Sequence, residues 1–376
     1  MPSNRKRLFL VLNDFEFLLS HRMNFAQAAQ ADGYAVTIVT PPDPRAKDLP
    51  QQGFSHLSYS LSRRGVNPFA EIYSMLQLYR LYLREQPDII HHFTIKPVIY
   101  GSIAAIWAKQ ARVFNTITGL GFMFVAERGW ALWVRPIVAA MYRFAFRRAS
   151  VQVIFQNPDD RALFLKYRLL QAEQTHVVLG SGVDPEKFRP SPLPAGDPVV
   201  LYPGRMLFDK GLSELVEAAK FAARQGLRFQ IWLAGPIDVG NPASIPEQKL
   251  RDWEKLGFVR WLGKQSDMPR LFAESHIVCL PSYREGVPRA LLEAAASGRA
   301  ILTTDVPGCR EVVVEGVNGY LVPARESTGL GRRLVEMLSN REMCQRFGEA
   351  GRERALQHFS LSIINAATLA TYQVLP

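Results

Sequence analysis

Residues 281–298 read PSYREGVPRALLEAAASG, and they follow a short apolar run, Ile277–Leu280. Four apolar residues before a loop have the length of a buried strand. Pro288 suits the first helical position, where its missing N–H is an orphan anyway. Ala290–Ala296 is built from strong helix formers, and Gly298 suits a left-handed cap. Strand, loop and helix in this order make one unit of an α/β sheet. The first amides of such a helix are unpaired and carry the positive end of its dipole, which is a ready diphosphate site. Gly286 leaves room for a ligand to approach the backbone. Glu285 and Glu293 frame the turn. If the helix is extended backwards they lie roughly 80° apart around its axis, so both face one pocket and offer acceptors to paired hydroxyls. In isolation two such glutamates would be ordinary solvated residues; their place between a buried strand and a proline-led helix makes them a binding pair.

The same alternation runs outward in both directions. Towards the N-terminus, Arg7–Leu12, Ala35–Thr40, Asp88–His91 and Val113–Ile117 read as strands. Asn24–Ala31 (ended by Gly33), Pro68–Glu85 and Val98–Ala108 read as helices between them. Gly180–Pro198 reads as a linker, and the pattern restarts: strands at Val199–Tyr202, Phe229–Ala234, Ile277–Leu280 and Arg299–Thr303, with a helix at Leu212–Gln225. Two successive alternations predict two doubly wound α/β domains facing a cleft, with ligands beyond the carboxyl ends of the strands.

A second stretch lies at such an end. Tyr202–Gly211 reads YPGRMLFDKG directly after the first strand of the second half. Gly204 permits a tight turn. Arg205 grips phosphate oxygens bidentately, while Lys210 acts as a point charge. Fixed cations there stabilise the charge that grows on a departing diphosphate without a metal.

The bulk numbers narrow the classes. The chain has 376 residues and a formal charge of +11. Residues 1–190 hold 23 Lys/Arg against 14 Asp/Glu, and the remainder 22 against 20. Basic charge gathered in the first half points to an anionic partner there. Nucleic acid is disfavoured, because no helix-turn-helix, RNP or zinc-finger pattern occurs. A membrane surface or a diphosphate-bearing lipid remains. Three cysteines without a CxxC pair fit a reducing compartment and no structural zinc. No secretory signal or membrane-spanning run is read, so the expected location is cytoplasmic, at most peripheral on a membrane.

GRxxxxKG followed by E-x7-E resembles retaining glycosyltransferase family 4, whose two-Rossmann architecture is called GT-B. GSGVD (Gly180–Asp184), TTDVPGCREVVVEGVNGYLVP (Thr303–Pro323) and the helix ending at Tyr372 extend the likeness over nearly the whole chain. The resemblance implies a first domain of 1–183, completed by about 360–376, and a donor domain of 184–359. It implies that Arg205 and Lys210 bind the donor diphosphate, Glu285 the donor-sugar hydroxyls and Glu293 the ribose. Gly204, Gly286, Val287 and Pro288 line the donor. No cofactor or metal is expected. Members of the family often carry a His after the strand that here ends at Ile117; the position is Thr118, followed by Gly119 in the glycine-rich TGLG turn (Thr118–Gly121). HHFTIKPVIYG, NTITGLG and FQNPDD resemble a bacterial subgroup that adds N-acetylhexosamines to undecaprenyl-diphosphate-linked acceptors.

On the acceptor side, Asp14 and His21 follow the first strand, and His91 and His92 end the DIIHH strand. Trp130–Arg148 mixes Trp, Tyr and Phe with four arginines and suits an interfacial membrane helix as well as a core helix with snorkelling arginines. The expected reaction is metal-independent transfer of a sugar, with retention, from a UDP-sugar to a lipid-diphosphate saccharide. A non-catalytic sugar-nucleotide-binding subunit and a UDP-sugar epimerase on the same architecture stay open.

Overall fold

The computed structural model describes residues 5–61, 67–110, 112–119, 131–148 and 150–373. Leu120 and Gly121 of the TGLG turn, and Trp130, lie outside the described residues. The chain divides into two units, Met1–Ser181 with Asn365–Pro376, and Gly182–Ile364. The division falls inside the last helix, Leu361–Thr371.

The first unit carries a parallel sheet in the order β3-β2-β1-β4-β5-β6-β7. Its strands are β1 (Arg7–Val11), β2 (Ala35–Thr40), β3 (Ser55–Ser58), β4 (Ile89–Phe93), β5 (Val113–Ile117), β6 (Val151–Phe155) and β7 (Thr175–Val177). β1 pairs with β2 on one side and β4 on the other, with Val11 beside Val39 and His92. The winding direction therefore reverses between β1 and β4, and the crossovers leave on opposite faces there. Parallel strands covered on both faces are apolar throughout. In β1 the alternation sends Phe9 and Val11 into one core and Leu8 and Leu10 into the other.

Two helices of the first unit differ from expectation. The helix after β1 begins earlier than Asn24: a turn at Phe15–Phe17, a π-helical turn at Leu18–Arg22, then Met23–Ala31. Val98–Ala108 resolves into a π-helical turn, Pro97–Gly101, and a helix, Ser102–Trp107.

His91 and His92, expected to open onto a ligand, are core residues with no exposed surface. Neighbours in a strand point to opposite faces. His91 Nδ1 lies 2.6 Å from the Tyr372 hydroxyl and Nε2 lies 2.7 Å from Thr116 Oγ1. His92 Nε2 lies 2.9 Å from the Tyr82 hydroxyl and Nδ1 2.9 Å from Asn115 Oδ1. Every ring nitrogen is occupied, so these residues knit the sheet to its flanking helices.

The second unit repeats the winding: β10-β9-β8-β11-β12-β13. These strands are β8 (Val199–Pro203), β9 (Gln230–Ala234), β10 (Val259–Gly263), β11 (Ile277–Leu280), β12 (Ala300–Thr304) and β13 (Gly319–Val322). Its reversal lies between β8 and β11. The stretch read as a linker is pinned to this unit by arginines. Arg352 donates to the Pro185, Phe188 and Ala296 carbonyls, and Arg341 to those of Leu193 and Pro194.

Burial lowers the His91 pKa well below its usual value and takes that of His92 to about 3. Both rings fold neutral, whereas the unfolded chain takes up protons near pH 6.5. Stability is therefore full above pH 6.5 and is lost as pH falls below it. Urea unfolding as a function of pH should show this loss, and His92→Gln should reduce its slope by about one proton, or ~1.4 kcal/mol per pH unit.

Candidate active site

The site is built on the reversal point of the second sheet, from the loops after β8 and β11. Among the described residues the loop Pro281–Pro288 is irregular, and the helix runs from Arg289 to Ala296. Pro288 is not the first helical residue, as expected, but the N-cap, because its ψ of 117° is extended. Leu291 and Leu292 donate to its carbonyl, which leaves the amides of Arg289 and Ala290 at the open end. Gly298 takes the left-handed conformation that ends the helix, φ 67°.

Two glycines let this loop pass. A Cβ on Gly211 would sit 2.0 Å from the Pro281 carbonyl oxygen, and one on Gly308 would sit 1.1 Å from that of Gly286. Both glycines also have positive φ, 72° and 81°. The close approach at Gly286 is thus to another backbone segment. Hydrogen bonds hold the loop in this slot: Tyr283 N–H donates to the Asp209 carbonyl at 2.9 Å, and the Thr304 hydroxyl to that of Ser282. Gly204 is required for space rather than for an unusual turn. Its Cβ would approach the Tyr202 hydroxyl to 2.9 Å, and that hydroxyl donates to the Arg205 carbonyl.

Within this frame Lys210 and Glu285 meet. Lys210 Nζ lies 2.5 Å from Glu285 Oε1, and the same oxygen accepts from Ser282 Oγ at 2.6 Å. Both side chains are mostly buried, at 19% and 13% exposure, so water screens the pair little. Arg205 is more open and pairs with Asp238 at 2.6 Å. Glu293 sits elsewhere on the helix. It is buried and paired with Arg289 at 2.7 Å. Burial raises its pKa, and the Arg289 and Lys187 cations oppose that rise. Glu285 and Glu293 share no recorded partner. The backward extension of the helix that placed them 80° apart fails, because Glu285 stands on an irregular loop. Val287 is buried.

Sequence reasoning overlooked Ser282 and Asp238. Ser282 lies three residues before Glu285, and Asp238 follows the carboxyl end of β9. Both positions were legible as strand-end loops. On the acceptor side, Asp14 caps its helix by accepting from Phe17 N–H at 2.6 Å. His21 lies 2.7 Å from Ser20 Oγ and stacks on Phe17. Thr118 and Gly119 follow β5, with Gly119 at φ 147°. Among the described residues no group of three or more His, Cys, Asp or Glu side chains is placed to hold a metal ion.

The mostly buried Lys–Glu pair thus stands on two loops at the reversal point of the second sheet. Residues 183–354 match the family model for glycosyl transferases group 1, and residues 7–157 match glycosyl transferase 4-like. The chain is a glycosyltransferase, with a 4-like first domain and a group 1 second domain. This glycosyltransferase is 26% identical, over 90% of both chains, to the N,N'-diacetylbacillosaminyl-diphospho-undecaprenol alpha-1,3-N-acetylgalactosaminyltransferase of Campylobacter jejuni. It is 24% identical to the UDP-Gal:alpha-D-GlcNAc-diphosphoundecaprenol alpha-1,3-galactosyltransferase of Escherichia coli, over 74% of this chain and 73% of that one. The Anabaena protein HepE, solved with UDP-glucose, superposes with a TM-score of 0.77 at 20% identity, covering 98% of this chain and 100% of that chain. The fold is GT-B.

Gly308→Ala should be among the most damaging single-methyl changes in this glycosyltransferase. It adds a clash to a left-handed backbone, and a loss of about 2–4 kcal/mol is expected in chemical denaturation, with weakened nucleotide binding.

Proposed function

We propose that the chain transfers a sugar, an N-acetylhexosamine by preference, from a UDP-sugar to a lipid-diphosphate-linked saccharide, with retention and without a metal. The observation that carries this reading is the mostly buried Lys210–Glu285 pair beside the open helix amides. Lys210, Arg205 and the amides of Arg289 and Ala290 meet the diphosphate. Their fixed positive charge takes the place of a divalent cation as charge grows on the leaving oxygen. Glu285, oriented by Ser282, accepts from donor-sugar hydroxyls, and Glu293 takes the ribose. The names of the C. jejuni and E. coli relatives supply the acceptor class, and the latter supplies the UDP donor.

In this reading the sugar–phosphate bond breaks through an oxocarbenium-like state, and the acceptor oxygen attacks from the same face. The acceptor proton passes to the departing phosphate oxygen. UDP release should depend on one donor and a lipid-diphosphate acceptor. Glu285→Ala should lower kcat/KM about 10²–10³-fold, and mass spectrometry of the working enzyme should reveal no glycosyl-enzyme adduct. UDP binding without turnover over a wide acceptor panel would favour the binding-subunit reading, and isomerisation of a UDP-sugar without acceptor would favour the epimerase.

The proposed acceptor class supports a position at a membrane surface. No helix of the described residues is long and apolar enough to cross a membrane. On the helix Ala131–Ala145, Ile137 and Phe144 are exposed, Arg143 donates to the Tyr167 carbonyl, and Arg147 lies 4.2 Å over the Phe144 ring. Apolar and basic groups side by side suit an anionic interface. The protein should co-sediment with phosphatidylglycerol vesicles but not with phosphatidylcholine, and about 0.5 M salt should release it as charges are screened.

A further inference from the structure

The first sheet has a reversal point of its own, between β1 and β4, with the same strand order as the second. In the second unit that place is served by a cation on the loop after the first central strand. In the first unit the segment after β1, which includes FLLSHRMNF, carries Arg22. Arg22 is 4% exposed and closes a π-helical turn, a feature that recurs at functional sites. Its guanidinium stacks on Phe93, the last residue of β4, at 4.6 Å.

What Arg22 lacks is a partner. Among the described residues, neither Nε nor Nη2 has a hydrogen-bond acceptor, and no carboxylate pairs with the charge. These two nitrogens share one edge of the planar guanidinium, and together they form the fork that grips two oxygens of a phosphate. Two more buried polar atoms without partners lie at the same strand ends: Asn13 Oδ1, two residues after β1, and Thr94 Oγ1, directly after β4. The β1–β4 register ends with Val11 paired to His92, and Asn13 and Thr94 each follow two residues beyond that last pair. Thr94 holds a φ of 69°, a costly backbone for a β-branched residue and one that marks functional positions. A buried, unpaired cation costs stability, and such costs concentrate where a ligand repays them.

We propose that Arg22, with Thr94, forms a phosphate-binding subsite at the reversal point of the first sheet. Its ligand is a phosphate ester or diphosphate, carried by the lipid acceptor or by the nucleotide. Only the choice between these two sources rests on the transferase reading.

Binding of inorganic pyrophosphate to the full chain tests the subsite without any sugar transfer. In Lys210→Ala protein that also carries Arg205→Ala, and so lacks both donor-side cations, titration calorimetry should retain one saturable site. Adding Arg22→Met should weaken that site at least tenfold. Arg22→Met alone should melt higher than wild type in phosphate-free buffer, because it removes the unpaired charge and keeps the bulk; a merely structural arginine would melt lower and leave pyrophosphate binding unchanged. Should Arg22→Met not fold, Thr94→Val in the same Lys210→Ala, Arg205→Ala background should weaken the site several-fold. In turnover, an Arg22→Met rise in KM of tenfold or more for the lipid-diphosphate saccharide alone assigns the subsite to the acceptor, and one for the UDP-sugar alone assigns it to the donor. No pyrophosphate site in the Lys210→Ala, Arg205→Ala protein, or one indifferent to both Arg22→Met and Thr94→Val, overturns the proposal.

Discussion

The loop Pro281–Pro288 has to thread between two backbones, and the candidate site depends on that passage. Gly211 meets the Pro281 carbonyl and Gly308 meets the Gly286 carbonyl, at separations no side chain tolerates. Once the loop is seated, Tyr283 N–H reaches Asp209, Thr304 reaches Ser282, and Glu285 is delivered to Lys210. The charged pair follows from backbone packing. Its two members come from loops 75 residues apart, and neither loop alone would hold its side chain still.

The two units apply one design to different ends. In each, two central strands send their crossovers to opposite faces and leave a gap above their carboxyl ends. In the second unit the gap is furnished with a compensated pair, Lys210 and Glu285. In the first it holds Arg22, whose charge no carboxylate balances among the described residues. Neutral histidines lie just beneath, saturated by Tyr372, Thr116, Tyr82 and Asn115. Hydrogen-bonded neutral rings below and an unbalanced cation above give the floor rigidity and the opening charge. Tyr372 reaches this floor from the last helix, so the chain's C-terminal segment completes the first unit's core.

Most strands were legible because a buried parallel strand is a compact apolar run, as in RLFLV or IVCL. Those passed over include the short, polar SHLS of β3, the THV of β7 and the VRWLG of β10, with Arg260 exposed. β3, β7 and β10 lie at sheet edges. An edge strand is half solvated and loses the apolar signature. The VQVIF of β6 is central and fully buried, and its Gln152 interrupts the run; that side chain is satisfied by His176, which no local pattern announces.

The sequence by itself determined the α/β class, the two-unit division, the loops that carry Arg205, Lys210 and Glu285, and the glycine that ends the helix Arg289–Ala296. These follow from local period, turn chemistry and helix-end physics, which act over a few residues. Only the tertiary structure decided which side chains meet. It gave Glu285 and Glu293 different partners, Lys210 and Arg289. It turned His91 and His92 from ligand candidates into core residues, since the burial of a strand end depends on what packs over it. It also singled out Arg22, whose lack of a partner is a property of everything around it and is written at no single position in the chain.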